Sequence, residues 1–69
     1  MSDLQQRLLD AHRRDDRAAL VALYTEAADT ANDVDAACFF LTHAYIFGLE
    51  LDHPQVPVLF DRLRAEGRV

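Results

Sequence analysis

The chain contains few residues that break helices or cross-link a fold. Its 69 residues include two glycines, two prolines, one cysteine and no tryptophan. Because Cys38 is alone, it cannot form an internal disulfide. The sequence has no Gly-rich loop and no alternating strand pattern, so it favours helices. We therefore expect a single all-α domain over residues 1–69.

Positive charge is also in the minority. Seven Arg and Lys residues stand against twelve Asp and Glu residues, which gives a net charge of −5. An acidic chain repels phosphate backbones. The cluster of Arg13, Arg14 and Arg17 has acidic residues among its members, so it is charge-mixed. Nucleic acid is therefore disfavoured as a direct partner.

Long uninterrupted apolar runs are absent as well. The densest stretch, residues 36–51, is interrupted by Thr42, His43 and Glu50, and it is shorter than the roughly 18 residues that span a bilayer. The first residues are polar and do not resemble a secretory signal. We therefore expect a cytoplasmic protein with no membrane association.

Two amphipathic helices are predicted in the first half of the chain. Ser2 begins a Ser-x-x-Gln capping box, so a first helix is expected at about 3–13. Asp15 or Asp16 can cap a second helix at about 16–31. The apolar residues of this second helix follow helical spacing throughout: Leu20, Leu23, Tyr24, Ala27, Ala28 and Ala31.

Two further helices are predicted in the second half. Asp33 can cap a third helix at about 34–50, and Asp52 can cap a fourth at about 54–65. Gly67 follows the fourth helix as a typical residue just beyond a helix end. The third helix has almost no polar side, which is typical of a helix covered on more than one side.

Short links between the helices determine how we expect them to pack. Links of about two to four residues favour antiparallel neighbours, and hence two αα-hairpins in series. The third helix is too apolar for the surface of such a bundle, so either the same chain or a second chain covers its other side. The residues expected in the core are Leu20, Leu23, Tyr24, Ala27, Phe40, Leu41, Ala44, Phe47, Leu59, Phe60 and Leu63.

A shift of about 33 residues brings similar residues into register, such as Leu8 with Leu41 and Ala11 with Ala44. Three segments resemble those of the tetratricopeptide-repeat family: Tyr24-Thr25-Glu26-Ala27-Ala28, Asp33-Val34-Asp35-Ala36-Ala37 and Phe47-Gly48-Leu49-Glu50-Leu51-Asp52-His53-Pro54. The resemblance covers residues 16–60. It implies a helical-hairpin scaffold that binds peptides or proteins. Two hairpins are fewer than the three repeats that such scaffolds usually need, and dimerisation would complete them.

The residues that could carry chemistry lack the spacing that chemistry needs. His12, Cys38, His43 and His53 contain no Cys-x-x-Cys and no His-x-x-x-His pair, so we expect no metal and no cofactor. Cys38 lies early in an apolar helix, where burial makes a thiol inert. An enzyme or ligand binder would need at least a pocket lined by Cys38, His43 and Tyr45. The sequence favours a protein without catalytic activity.

Phe39, His43, Ile46 and Glu50 share one side of the third helix. Large apolar groups beside polar ones are typical of an interface, so we predict these four as protein-binding residues. The leading interpretation is a small cytoplasmic adaptor or regulatory module that binds a protein, with a homodimer as one form of that complex. The alternative is a regulator of transcription or of a nucleic-acid enzyme that acts through protein binding.

Overall fold

Four helices account for most of the chain. The computed structural model describes residues 2–69, and of Ser2 it describes the backbone only. The helices are α1 (Ser2–Arg13), α2 (Arg17–Asp29), α3 (Val34–Leu51) and α4 (Val56–Ala65), and residues 2–69 contain no strand. The predicted all-helical class with four helices is confirmed. Helix α2 ends two residues before its predicted end, and α4 begins two residues after its predicted start.

Aspartate side chains start two of these helices. The Asp16 carboxylate accepts a hydrogen bond from the Ala19 N–H at 3.2 Å, and the Asp33 carboxylate accepts one from the Ala36 N–H at 2.8 Å. Each bond satisfies an N–H group that has no partner within the first helical turn. Both caps are as predicted, whereas the predicted capping box at Ser2 depends on a side chain outside the described residues.

Asp52 ends α3 instead of starting α4, so the prediction that it caps the fourth helix is wrong. Its φ of 53° is left-handed, and the following His53 N–H donates to the Gly48 carbonyl oxygen at 2.9 Å. This six-to-one bond is the Schellman ending of a helix. Gln55 stands before α4, and its side chain makes no capping hydrogen bond. Gly67, with a φ of 72°, closes α4 in the same way, as predicted.

Asp52→Gly is expected to raise the free energy of unfolding by about 0.5–1 kcal/mol, because glycine adopts a left-handed φ without the steric cost of a β-carbon. Urea unfolding followed by circular dichroism measures the change. Asp52→Ala is the matched control: it keeps a β-carbon and removes the carboxylate, so it should be less stable than the wild type. Equal stability of the glycine and alanine variants would contradict a cost of the left-handed backbone at this position.

Each helix packs on its neighbours in chain order. The most extensive contact is between α2 and α3, while α1 packs on α2 and α4 packs on α3. The molecule extends 31 × 28 × 12 Å along its principal axes, so it is flat. Helices α2 and α3 are therefore central, and each leaves part of its surface uncovered.

Two clusters of buried residues hold the helices together, one joining α2, α3 and α4 and the other joining α1 to α2. The buried apolar residues are Ala11, Leu20, Val21, Leu23, Ala27, Ala28, Cys38, Leu41, Ala44, Leu59 and Leu63. The predicted core residues Tyr24, Phe40 and Phe47 are only half-buried. The core prediction for Phe60 is wrong, since it is 37% exposed and its ring lies at the edge against Tyr45. A flat molecule offers few positions where a large ring is covered on every side.

Candidate protein-binding site

Large apolar side chains project into solvent along α3. Phe39, Ile46 and Leu49 are 59%, 50% and 53% exposed, respectively. Spacings of seven and three residues put them on one side of the helix, with Thr42 between them. We call the surface formed by these four residues the outer face of α3. Only four of the 18 residues of α3 are buried, and eight are exposed, so its own chain leaves one side of this apolar helix uncovered.

Helix α3 is also long and apolar enough to cross a membrane, judged by its length and composition alone. The expectation that no stretch reaches this length is corrected, because the helix begins at Val34 and spans 18 residues. The core helix of a soluble protein can meet the same criterion.

His43 lies behind Phe39 rather than beside it in solvent. It is half-buried, and its ring centroid lies 4.6 Å from that of Phe39 and 5.0 Å from that of Tyr24, on which it stacks. The ring Nδ1–H donates to the Phe39 carbonyl oxygen, with a distance of 2.9 Å between the two atoms. His43 therefore packs against the exposed ring of Phe39, and only part of the His43 ring is itself exposed.

Tyr24 connects this region to α1. Its hydroxyl oxygen lies 2.8 Å from His12 Nε2, and its ring stacks on those of Phe40 and Phe47. Partial burial raises the pKa of the Tyr24 phenol above its ordinary value of 10.0, so the hydroxyl stays neutral near pH 7. Helical spacing predicts Tyr24 in the core and does not predict this link to His12. The signal for it was the hydroxyl itself, because a tyrosine hydroxyl that is partly buried usually finds a partner.

A groove of about 660 Å³ runs between α1 and α3, with α2 as its floor. The main apolar and aromatic residues that line it are Leu4, Leu8, Tyr24, Ala27, Phe39, Phe40 and His43. Two of the four predicted binding residues, Phe39 and His43, line this groove, whereas Ile46 and Glu50 lie outside it along α3. The four predicted residues therefore share a helix side and not a common cavity.

An ion pair borders each end of the outer face. At the end of α3, the Glu50 carboxylate lies 3.4 Å from Nε of Arg17. At the start of α3, the Asp35 carboxylate lies 2.6 Å from Nη2 of Arg68, and this hydrogen bond raises the pKa of the Arg68 guanidinium. Of these four charged residues, only Glu50 was predicted from the sequence as a binding residue. Both arginines belong to other segments of the chain, and no local pattern connects them to α3.

Cys38 and His43 border one shallow depression, together with Asp35, Phe39, Thr42 and Arg68. The Cys38 residue is only 3% exposed, so its thiol is buried. Tyr45, the third residue that a catalytic or ligand-binding pocket was expected to need, does not line this depression. Within the described part of the chain, no group of three or more His, Cys, Asp or Glu residues could hold a metal ion.

The outer face thus has an apolar centre with a charge pair of both signs at each end. In protein complexes generally, an apolar centre excludes water and charged groups around it orient the partner. The chain matches no protein-family model, no curated protein and no solved structure.

Proposed function

We propose that this protein is a small interaction module that binds another protein through the outer face of α3. The observation that carries the proposal is the exposure of Phe39, Ile46 and Leu49 on one side of one helix. Large contiguous apolar patches on soluble proteins mark binding surfaces, because water is released when a partner covers them.

We infer that the scaffold consists of two antiparallel hairpins, as in tetratricopeptide repeats. Contacts between α1 and α2 support the first hairpin. Arg7 binds Glu26 at 2.8 Å, while His12, later in α1, meets Tyr24, which comes earlier in α2. Contacts in which a later residue of α1 meets an earlier residue of α2 support an antiparallel arrangement of the two helices.

Two ion pairs support the placement of α4. Arg62 binds Asp29 at 2.7 Å and Arg68 binds Asp35 at 2.6 Å. Asp35 lies at the start of α3 and Arg68 just after the end of α4, so their pair supports an antiparallel second hairpin, while the pair of Arg62 with Asp29 joins α4 to α2. The packing of each helix on its neighbours in chain order also supports stacked hairpins.

Phe39 is the expected anchor of the interaction. Aromatic side chains dominate the binding energy of many interfaces, and the ring of Phe39 is both exposed and held by His43 from behind. A ring that is already positioned loses little conformational freedom when a partner covers it. Ile46 extends the apolar surface, and the pair of Glu50 with Arg17 forms its polar border.

Capture of partners from the native host by tagged wild-type protein and by two aspartate variants tests the proposal. Phe39→Asp places a charge at the centre of the outer face and should reduce the captured partner at least about tenfold. Leu9→Asp is the matched control, because Leu9 is 51% exposed on α1 and lies off the face. It should capture the partner as the wild type does. A partner retained equally by all three proteins would contradict binding through α3.

A further inference from the structure

We propose that the partner on the outer face of α3 is a second copy of this chain, packed antiparallel about a twofold axis between Thr42 and His43. This inference rests on the proposed function and names the partner of the same surface. Three features of α3 support it: the symmetry of its residues, the charges at its two ends and the hydrogen bonds at its middle.

Two of the three large exposed residues of the face are placed symmetrically. Phe39 stands three residues before Thr42, and Ile46 stands three residues after His43. In a twofold interface each residue meets its counterpart reciprocally, so an axis between Thr42 and His43 places Phe39 of each copy against Ile46 of the other. Phe39 and Ile46 of one copy thereby cover those of the second, while Leu49 has the small Ala36 as its symmetry counterpart.

The charged residues at the ends follow the same symmetry. Asp35 stands seven residues before Thr42, and Glu50 stands seven residues after His43. Two acidic groups would therefore meet at each end of the interface and repel each other. Each of them already holds an arginine, Arg68 at 2.6 Å and Arg17 at 3.4 Å. Each end of the dimer then contains two acidic and two basic groups.

If acidic and basic groups alternate at each end, each acidic group lies beside arginines, and the net interaction is attractive. Asp35 of one copy can bind Arg17 of the other, and Glu50 can bind Arg68, while each keeps its present partner. Asp35 and Glu50 are about 22 Å apart along α3, from the rise of about 1.5 Å per residue. Antiparallel helices that cross at about 20° stay close over this length, within reach of long arginine side chains.

The polar groups at the middle of the face already have partners within α3. The Thr42 hydroxyl donates to the Cys38 carbonyl oxygen at 2.8 Å, and the His43 Nδ1–H donates to the Phe39 carbonyl oxygen at 2.9 Å. Burying a donor that has no partner is costly, whereas burying one that is already bonded is not. A second copy can therefore cover the middle of α3 without leaving these donors unsatisfied.

The size of the face determines the expected affinity. One face of an 18-residue helix offers less than the roughly 800 Å² per partner of a standard interface. We therefore expect a reversible dimer with a dissociation constant of about 10–100 µM. Sedimentation equilibrium of the pure protein at about 5–500 µM covers the range in which such a dimer forms.

The wild type and Leu9→Asp should change from monomer to dimer across this range, and Ile46→Asp should remain a monomer at every concentration. Circular dichroism verifies that all three are folded. A wild type that is monomeric throughout would overturn the second-copy inference. If its capture of a host protein still required Phe39, the proposed function would stand. A dimer that Ile46→Asp leaves unchanged would also overturn the second-copy inference, because the two copies would then meet through another surface.

Two further measurements locate the axis and the charge pairs. Thr42→Cys should form a disulfide-linked dimer under mild oxidation, whereas Ala22→Cys, at an exposed position on α2, should not. Arg17→Glu should weaken the dimer about tenfold, and Arg17→Glu with Glu50→Arg should restore it, since two groups of each sign are again present at each end. Equal cross-linking of both cysteine variants, or no restoration, would overturn the twofold arrangement.

A lipid surface is the other kind of partner that can cover an apolar helix face. Flotation of the chain with phosphatidylcholine vesicles distinguishes it from a second copy. No flotation is expected at concentrations where the dimer forms, because the dimer covers the outer face. A chain that is monomeric in sedimentation and binds these vesicles through Phe39 would overturn the second-copy inference in favour of the lipid surface.

Discussion

Leu59→Ala is expected to lower the free energy of unfolding by about 3 kcal/mol. Leu59 lies on α4, is fully buried and belongs to the cluster that joins α2, α3 and α4. Its truncation removes apolar surface from the core and leaves a cavity whose lining loses contacts. A domain of 69 residues has a total stability of about 3–10 kcal/mol, so this variant should be close to unfolding without denaturant.

Leu9→Ala is the matched control for this prediction. It makes the same chemical change on α1, at a side chain that is 51% exposed, and it should cost less than about 0.5 kcal/mol. Urea titration of the three proteins, followed by circular dichroism, gives both differences. A loss below about 1 kcal/mol for Leu59→Ala would contradict the packing of α4 on α3.

The positions of the helices could be predicted because the signals for them are local. Asp16 and Asp33 each bind an amide three residues further on, so cap and partner stand close together in the sequence. Asp52 shows where local signals fail. Aspartate suits the start of a helix and also tolerates the left-handed residue at its end. Whether Asp52 starts α4 or ends α3 depends on where the last turn of α3 lies.

Burial was harder to predict than helix position, because it depends on how many neighbours cover each helix. Phe40 and Phe60 have the spacing of core residues, yet one is half-buried and the other is exposed. The side of α3 that carries Phe39 and Ile46 followed from helical spacing alone. The arginine that meets Asp35 did not, since it comes from the far end of the chain and only the fold brings the two together.

Gly48 lies where α3 comes close to α2 and to the start of α4. A β-carbon at this position would lie 2.9 Å from Val56 Cγ2 and 3.9 Å from Val21 Cγ2. The first contact is too short for two carbon atoms, and valine has little freedom to rotate away because it is branched at its β-carbon. The missing side chain of Gly48 is therefore what allows these helices to approach each other.

Gly48→Leu is expected to lower the free energy of unfolding by about 3 kcal/mol, because an overpacked site forces side chains and backbone to shift. Gly48→Ala tests the same contact with a smaller change. Alanine favours a helix over glycine by about 1 kcal/mol, and the clash with Val56 opposes this gain. In the wild type the two effects should nearly cancel, so Gly48→Ala should leave the free energy of unfolding almost unchanged.

With Val56→Ala already present, the clash is absent, so Gly48→Ala should stabilise that variant by about 1 kcal/mol. Urea titrations of the wild type, the two single variants and the double variant form a double-mutant cycle. Its interaction energy isolates the contact between residues 48 and 56 from the helix preference of alanine. An equal effect of Gly48→Ala in both backgrounds would contradict the close approach of Val56. An interaction energy of about 1 kcal/mol or more would establish that the packing of α4, and not helix preference, requires glycine at this position.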